Sequence, residues 1–461
     1  MTTPTPDELG HTTAPSVPSK KEETSILLKI AMPLVAAYLA EMAMFITTKI
    51  VVGRLGYQEL AAVGIAGDFT MELVVVIMGL LSVVGVLVAN AEGARDKPAG
   101  GHATRQGLLI ATAIGIPATI LVWNFGPVLT ILGQAPEVVA LAEQYLPPIS
   151  LMILPTLWFT SFRNFTTAIA KTGVIMVITV SAVWLNYVLT VALVHGRFGF
   201  PELGVAGAGW ATSLVAWAMF ISLVGYVYLT PALRGYGLFR GRIRFDGAVC
   251  RDIIKLGIPV AGIVALEASL FFTVSVICGT LGADILASYE IMKSWFGVPF
   301  MAALGLAEAA MVRVAFGIGR GSMESARQSG VVSMVIGVGF LILLMFIPLN
   351  FSRQIVEIFL ETDDPGFEFI SDTFRSMIYV VSIFQVFDGL QAIASRALRG
   401  IRDTIVPLWL AAFGYWVLGI GGGYIFTFPM GYGFTGIFTG LAGGLVVTGT
   451  LLAFRFVRLA R

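Results

Sequence analysis

The sequence predicts an all-α integral membrane protein: twelve spanning helices divided between two homologous lobes. Three observations carry this. Of 461 residues, 57% are hydrophobic and only 12% charged, where a soluble domain carries about 25% charge. Apolar runs recur twelve times between short polar breaks, each near the roughly 20 residues that cross a bilayer. Finally, the chain matches itself at a shift of 226 positions. Lys29, Pro33, Glu41, Phe45, Thr47, Gly53, Leu55, Gly56, Leu60 and Ala61 fall, without a gap, on Lys255, Pro259, Glu267, Phe271, Thr273, Gly279, Leu281, Gly282, Leu286 and Ala287. A repeat of half the chain means two lobes, not a small-period solenoid. In a membrane chain, a site enclosed between such lobes is the mark of alternating access.

Residues 1–24 are polar, rich in Thr, Pro and Lys, and read as a disordered cytoplasmic tail. They lack the apolar core of a signal peptide. The first lobe, 25–230, places helices at 27–52, 60–91, 106–126, 138–162, 174–195 and 204–229. The basic stretch 231–251 is the expected cytoplasmic linker. Its five arginines read first as ordinary inside charge, with anionic lipid head groups as a second use. The second lobe, 252–461, places helices at 256–279, 285–315, 329–349, 370–395, 406–426 and 434–455. Membrane helices tolerate the internal Pro33, Pro117, Pro155, Pro259 and Pro299. The glycine runs at Gly419 to Gly423 and Gly440 to Gly444 read as close helix packing.

Charge in the breaks sets orientation. Alternate breaks collect Arg95, Lys97, Arg105, Arg163, Lys171, Arg313, Arg320, Arg396, Arg399, Arg402 and Arg455, among others. The opposite set has only Arg54, Arg197, Arg353 and Arg375, with the acidic Glu361, Asp363 and Asp364. By the positive-inside rule both termini are cytoplasmic, as an even helix count requires. The expected location is a bacterial or archaeal plasma (inner) membrane.

Several classes are excluded. No G-x-x-x-x-G-K-[ST] loop is present to cradle nucleotide phosphates, and no soluble domain could host catalysis. A net charge of +1 gives no signal for nucleic acid. Two cysteines, Cys250 and Cys278, imply neither a disulfide framework nor a zinc set. His11, His102 and His195 lie in the tail or near helix ends, unsuited to a proton relay. No catalytic residue, resident metal or cofactor is expected, and an ion gradient must drive any transport.

Charge inside the spans is the functional signal. Placing an ionised group at the bilayer centre costs at least about 2.5–3.5 kcal/mol. The chain nevertheless places Glu41, Lys49, Asp68, Glu72, Glu267, Glu290, Lys293, Glu308 and Asp388 there. Apolar surroundings favour the protonated form of a carboxylate, so such a group can load and release a proton. Kept ionised, it can coordinate sodium with neighbouring oxygens instead. Glu267, between Val264, Ala265, Leu266, Ala268 and Leu270, has no cation within a turn; Asp388 is similarly central. Glu41 shares the repeat position of Glu267 and is the candidate second carboxylate, with a hydrogen-bonded structural role as the equal alternative.

Lys49 needs a partner, which Asp68 or Glu72, one turn apart on the next helix, can supply. That pair either locks the helices or opens when substrate arrives. Glu290 and Lys293, three apart, can neutralise one another and still line a cavity. Glu308, near Arg313, reads as structural. Met42, Met44, Met292, Trp295 and Phe384 lie near these acids. An acidic cavity so walled attracts lipophilic organic cations. Acids outnumber lysines in the spans by seven (Glu41, Asp68, Glu72, Glu267, Glu290, Glu308, Asp388) to two (Lys49, Lys293).

Four stretches resemble the multidrug and toxic compound extrusion (MATE) family, in its NorM-like branch. They are Val52-Gly53-Arg54-Leu55-Gly56 followed by Leu60-Ala61-Ala62-Val63-Gly64; Asn186 with Gly196-Arg197-Phe198-Gly199-Phe200-Pro201-Glu202-Leu203-Gly204 and Gly207-Ala208-Gly209-Trp210-Ala211-Thr212; Leu256-Gly257-Ile258-Pro259 with Glu267; and Leu398-Arg399-Gly400-Ile401-Arg402-Asp403-Thr404 with Pro407. The resemblance runs from about residue 25 to 455, and the fourth motif is its most specific. It implies two pseudo-symmetric six-helix bundles around a central cavity. It implies export of small cationic, lipophilic molecules against inward protons or sodium, by a chain that is not an enzyme and is expected to be monomeric. It places the coupling cation, proton or Na+, at Glu267 and Asp388.

Two departures stand out. Thr47 occupies the position where many relatives have a helix 1 aspartate, and the nearest acid, Glu41, is six residues away. Phe384 replaces a tyrosine found one turn before the helix 10 acid in some sodium-coupled relatives, which favours protons. The alternative function is a flippase-type exporter of a lipid-linked or anionic metabolite, which would want a cationic cavity.

Overall fold

A computed structural model describes residues 17–240, 244–358, 362 and 366–460. The tail through residue 16 with His11, the linker's Arg242, and the acidic Glu361, Asp363 and Asp364 lie outside the described residues. In the first lobe the helices are α1 (Lys20–Gly53), α2 (Tyr57–Gly93, interrupted at Ser82) and α3 (Lys97–Trp123). There follow α4 (Pro136–Ser150 continued by Ile153–Ala168), α5 (Gly173–Val194) and α6 (Gly204–Leu229). The second lobe holds α7 (Gly247–Leu281), α8 (Ala283–Gly319), α9 (Met323–Glu357), α10 (Phe367–Gly400), α11 (Ile405–Thr427) and α12 (Gly433–Leu459). Counting the two halves of α4 as one span, these are twelve among the described residues long and apolar enough to cross a membrane. The halves of α4 bend by 41°, where Pro147 and Pro148 remove two helical donors.

Local chemistry moves two of the expected boundaries. Ser19 and Glu22 form a reciprocal capping box, so α1 starts at Lys20 inside the stretch read as tail. The Asp246 carboxylate accepts from the Ala248 and Val249 amides, so α7 starts at Gly247 and shortens the expected linker. The hydrogen bond from His102, and after it the Val249 amide, hold the Asp246 carboxyl below its usual range. Further along, α4 and α10 each run several residues past their expected ends, to Ala168 and Gly400. That extension brings Arg163, Arg396 and Arg399 inside helices rather than into polar breaks.

The internal repeat is visible in the packing. A Cβ on Gly53 would meet Leu60 at 3.6 Å, and one on Gly279 would meet Leu286 at 3.8 Å. Gly56 (φ 162, ψ 169) and Gly282 (φ 147, ψ 156) make the two matching turns. The expectation for the glycine runs also holds: α11 and α12 approach backbone to backbone at Gly423 and Gly440, and at Gly414 and Gly444.

Within the first lobe α1 packs on α5, and α2 and α6 pack on α4; in the second, α10 lies among α8, α9 and α12. The lobes meet through α1 on α8 and α2 on α7. Their tightest contacts crowd the end that bears the termini. Gly93 and Gly319 bring α2 and α8 together there, a Cβ on either meeting the other helix's backbone. Arg313 on α8 clamps Glu23 on α1 through two bonds of 2.8 and 2.6 Å, and Ser329 on α9 adds a third at 2.7 Å. The linker is strapped to α3: Arg105 donates to the Arg240 carbonyl at 2.9 Å and Gln106 to the Arg244 carbonyl at 2.8 Å.

Candidate ion and substrate sites

A cavity of about 190 Å³ lies within the first lobe. Helices α1, α2, α4, α5 and α6 enclose it. Met44, Met71, Met78, Met152 and Met219 line it with Phe45 and Phe159, an adaptable apolar wall. Its polar groups include Thr48, whose hydroxyl donates to Asn186 Oδ1 at 3.1 Å.

Glu41 and Lys49 both line this cavity, as expected, yet neither is free. Arg163 donates to Glu41 Oε1 at 2.8 Å and lies 4.6 Å over the Tyr38 ring. Lys49 Nζ stands 3.0 Å from Asp68 Oδ1, so Asp68 rather than Glu72 is its ion partner. With Arg163 and Lys49 set against Glu41, the lining is not the acidic surface that the sequence suggested. The wider count changes too. Buried Arg163 and Arg399 and half-buried Arg396 add to Lys49 and Lys293, so acids no longer dominate the spans as the sequence suggested. Sequence reading missed these arginines because each sits just beyond an expected helix end.

The second-lobe carboxylates are arranged differently. Phe271, one turn after Glu267 on α7, meets Phe384, one turn before Asp388 on α10, edge to face at 6.4 Å. The two helices run in opposite directions, so both carboxylates fall one turn below this contact, on the same side of it. Phe384 is therefore part of an aromatic wall, completed by Phe296 at 6.0 Å, rather than of the cavity lining. Glu267 is half-buried and Asp388 is buried, and each lies within the other's electrostatic reach. Among the described residues, no hydrogen bond or ion pair closes on either.

The neighbours supply neutral oxygens and one committed cation. The Tyr415 hydroxyl is buried without a partner and lies within electrostatic reach of both carboxylates. It projects from a π-helical stretch of α11, Phe413–Gly421, a local distortion that recurs at functional sites. Both amide atoms of buried Gln385, three residues before Asp388, are also unpartnered. Arg396 lies within reach of Glu267 and Asp388 but donates to Glu308 at 2.9 Å. Glu308 thus pairs with Arg396 and not with Arg313, which holds Glu23. Tyr415 had no sequence signal, since nothing in a run of aromatics and glycines marks one hydroxyl. Among the described residues, no three His, Cys, Asp or Glu side chains gather as a metal cluster. A monovalent ion would rely on the two carboxylates with these neutral oxygens.

Glu290 and Lys293 pair on α8 at 2.6 Å, with Ser275 donating to Glu290 at 3.1 Å. They lie in the second lobe, away from the first-lobe cavity. Asn164 is buried and donates to the Leu81 carbonyl at 3.0 Å.

The MatE family model matches residues 33–192 and 259–425. Its two blocks start at Pro33 and Pro259, positions paired by the 226-residue shift. The chain is 34% identical over 438 residues to a probable multidrug resistance protein NorM of Pseudomonas putida, covering 94% of both. It is 32% identical over 446 residues to the multidrug resistance protein NorM of Burkholderia vietnamiensis, covering 96% of both. Among solved structures, it resembles the eukaryotic MATE transporter AtDTX14 with a TM-score of 0.82 and 23% identity, over 96% of this chain and 99% of that one. An outward-facing MATE family multidrug transporter aligns with a TM-score of 0.86 and 19% identity, over 95% and 96%.

Proposed function

Because the chain belongs to the MatE family of membrane transporters, we propose that it exports small lipophilic compounds across a bacterial plasma membrane. It is a transporter and not an enzyme. Inward flow of protons or sodium drives it by alternating access, with both termini in the cytoplasm and the chain acting as a monomer. The observation that carries this reading is a contrast in pairing: Glu41, the acid that lines the first-lobe cavity, is held by Arg163, whereas among the described residues no cation pairs with Glu267 or Asp388.

In the proposed cycle the outward-facing protein loads a cation at Glu267 and Asp388. Two ionised carboxylates within each other's electrostatic reach repel, and uptake of one positive charge relieves the repulsion. The Tyr415 hydroxyl and the Gln385 amide oxygen supply the neutral oxygens that Phe384 does not. Sodium is thereby served as well as a proton. Loading removes the negative charge that held a cationic cargo, so cargo leaves outward and the lobes close. The five cavity methionines suit varied apolar cargo.

A second reading concerns cargo sign. Lys49 and Arg163 on the cavity wall favour a cargo with an anionic group, either zwitterionic or fully anionic. Proteoliposomes loaded with an organic cation, a zwitterion or an anion, under a pH or a sodium gradient imposed separately, decide between the readings. Accumulation of the cation that collapses in Glu267→Gln and Asp388→Asn supports the main one. Intact ion-dependent efflux in both variants overturns it.

A further inference from the structure

α2 and α7 cross tightly at one point. A Cβ on Gly79 would stand 3.1 Å from Val264 and 3.5 Å from the Ala261 Cα, and one on Gly257 2.7 Å from the Leu80 carbonyl oxygen. The numbering rises on one helix as it falls on the other, so the helices are antiparallel. Seven residues before Gly79, on the same face and about 10 Å along the axis, is Glu72. Six residues after Ala261, about 9 Å along, is Glu267. Both displacements run toward the end opposite the termini. The two carboxylates thus stand at one height, on facing lobes, beyond the close approach of α2 and α7.

Among the described residues, no cation pairs with Glu72. Met71, Val74, Val75 and Met78 of α2 line the first-lobe cavity, but Glu72 does not; it is exposed. On its own helix the nearest charge is Asp68, already held by Lys49 of α1. On the α7 side, Glu267 faces Asp388 and Arg396 of α10, with Arg396 committed to Glu308 of α8.

We propose that Glu72 is the first lobe's reader of the second-lobe ion site: Glu72 and Glu267 approach only when a positive ion sits between or upon them. This rests on the reading of Glu267 as an ion-binding carboxylate. While both are ionised, repulsion between them in a low-dielectric setting holds the lobes apart. A proton or sodium ion taken up at Glu267 cancels that repulsion, and the lobes close around a shared charge. An empty carrier therefore cannot close, which forbids slippage without the ion. Glu72 touches no cargo in this scheme; it is a positioning residue.

The test places labels at Ile50→Cys and Val276→Cys, repeat-equivalent sites on α1 and α7 near their open ends, with Cys250 and Cys278 replaced. Distances are measured by double electron–electron resonance in liposomes, across a pH series and a sodium series. The otherwise native protein should move from open to closed as either ion is added. Glu72→Gln should populate the closed distance at every ion concentration and lower gradient-driven accumulation at least tenfold, and Glu72→Asp should restore the shift. If Glu72→Gln titrates like the native protein while Glu267→Gln does not, the cross-lobe role is wrong and the ion site stands. If Glu267→Gln and Asp388→Asn also titrate like the native protein, the ion site itself is wrong.

Discussion

Arg163 reaches from α4 to Glu41 on α1 and donates to its carboxylate at 2.8 Å. Glu267, the repeat equivalent of Glu41, meets no such cation among the described residues. One ancestral position thus has two fates. In the first lobe the acid is paired with a cation; in the second, among the described residues, it is not.

Removing Arg163 should be costly. The Arg163 side chain is 8% exposed and Glu41 29%, and breaking a buried pair costs about 3–5 kcal/mol. Arg163→Ala is expected near the low end, because Glu41 keeps some solvent. Thermal unfolding in detergent should register it as a lower midpoint. The double variant Glu41→Gln with Arg163→Gln should recover part of the loss, as expected of residues in direct contact.

The Glu23–Arg313 clamp should govern which side opens. Glu23 is fully buried and joins α1 to α8 and α9. Glu23→Gln weakens the contact between the lobes at the terminus-bearing end, so the closed state there loses population. Cross-linking of cysteines placed on α2 and α8 beside Gly93 and Gly319 should slow in this variant. Unchanged cross-linking would show that the glycine contacts alone hold that end shut.

Tyr415→Phe deletes one hydroxyl and little volume. A neutral hydrogen bond is worth about 1 kcal/mol, so the half-saturating concentration of the coupling ion should rise about fivefold. The maximal transport rate should stay near that of the native protein. An unaltered ion dependence would remove Tyr415 from the site.

Acid should release the cap of α7. The Asp246 carboxyl is held below its usual range, chiefly by the His102 hydrogen bond. Its contribution is then complete above the unfolded value of about 3.9 and disappears as pH falls through the lower folded value. Protease cleavage within 231–246 should rise over that acid interval in the native protein. In Asp246→Asn cleavage should be raised at neutral pH and change little with acid.

Much of the architecture was legible because bilayer physics constrains sequence so strongly. A spanning helix must be apolar for about 20 residues, so twelve spans could be counted. The repeat, with Gly56 and Gly282 at matched turns, declared two lobes. Glu267 and Asp388 stood out because an unpaired acid among apolar residues is conspicuous in a one-dimensional string.

Pairing was decided only by the tertiary structure. Arg163 and Arg396 looked like surface charge because they follow their apolar runs, yet extended helices carry them inward to Glu41 and Glu308. Whether a charge is matched depends on which residue of another helix faces it, often more than a hundred positions away. Periodicity along one helix holds no record of that distance. For the same reason the unpartnered Tyr415 hydroxyl and the first-lobe cavity emerged only once the helices were packed.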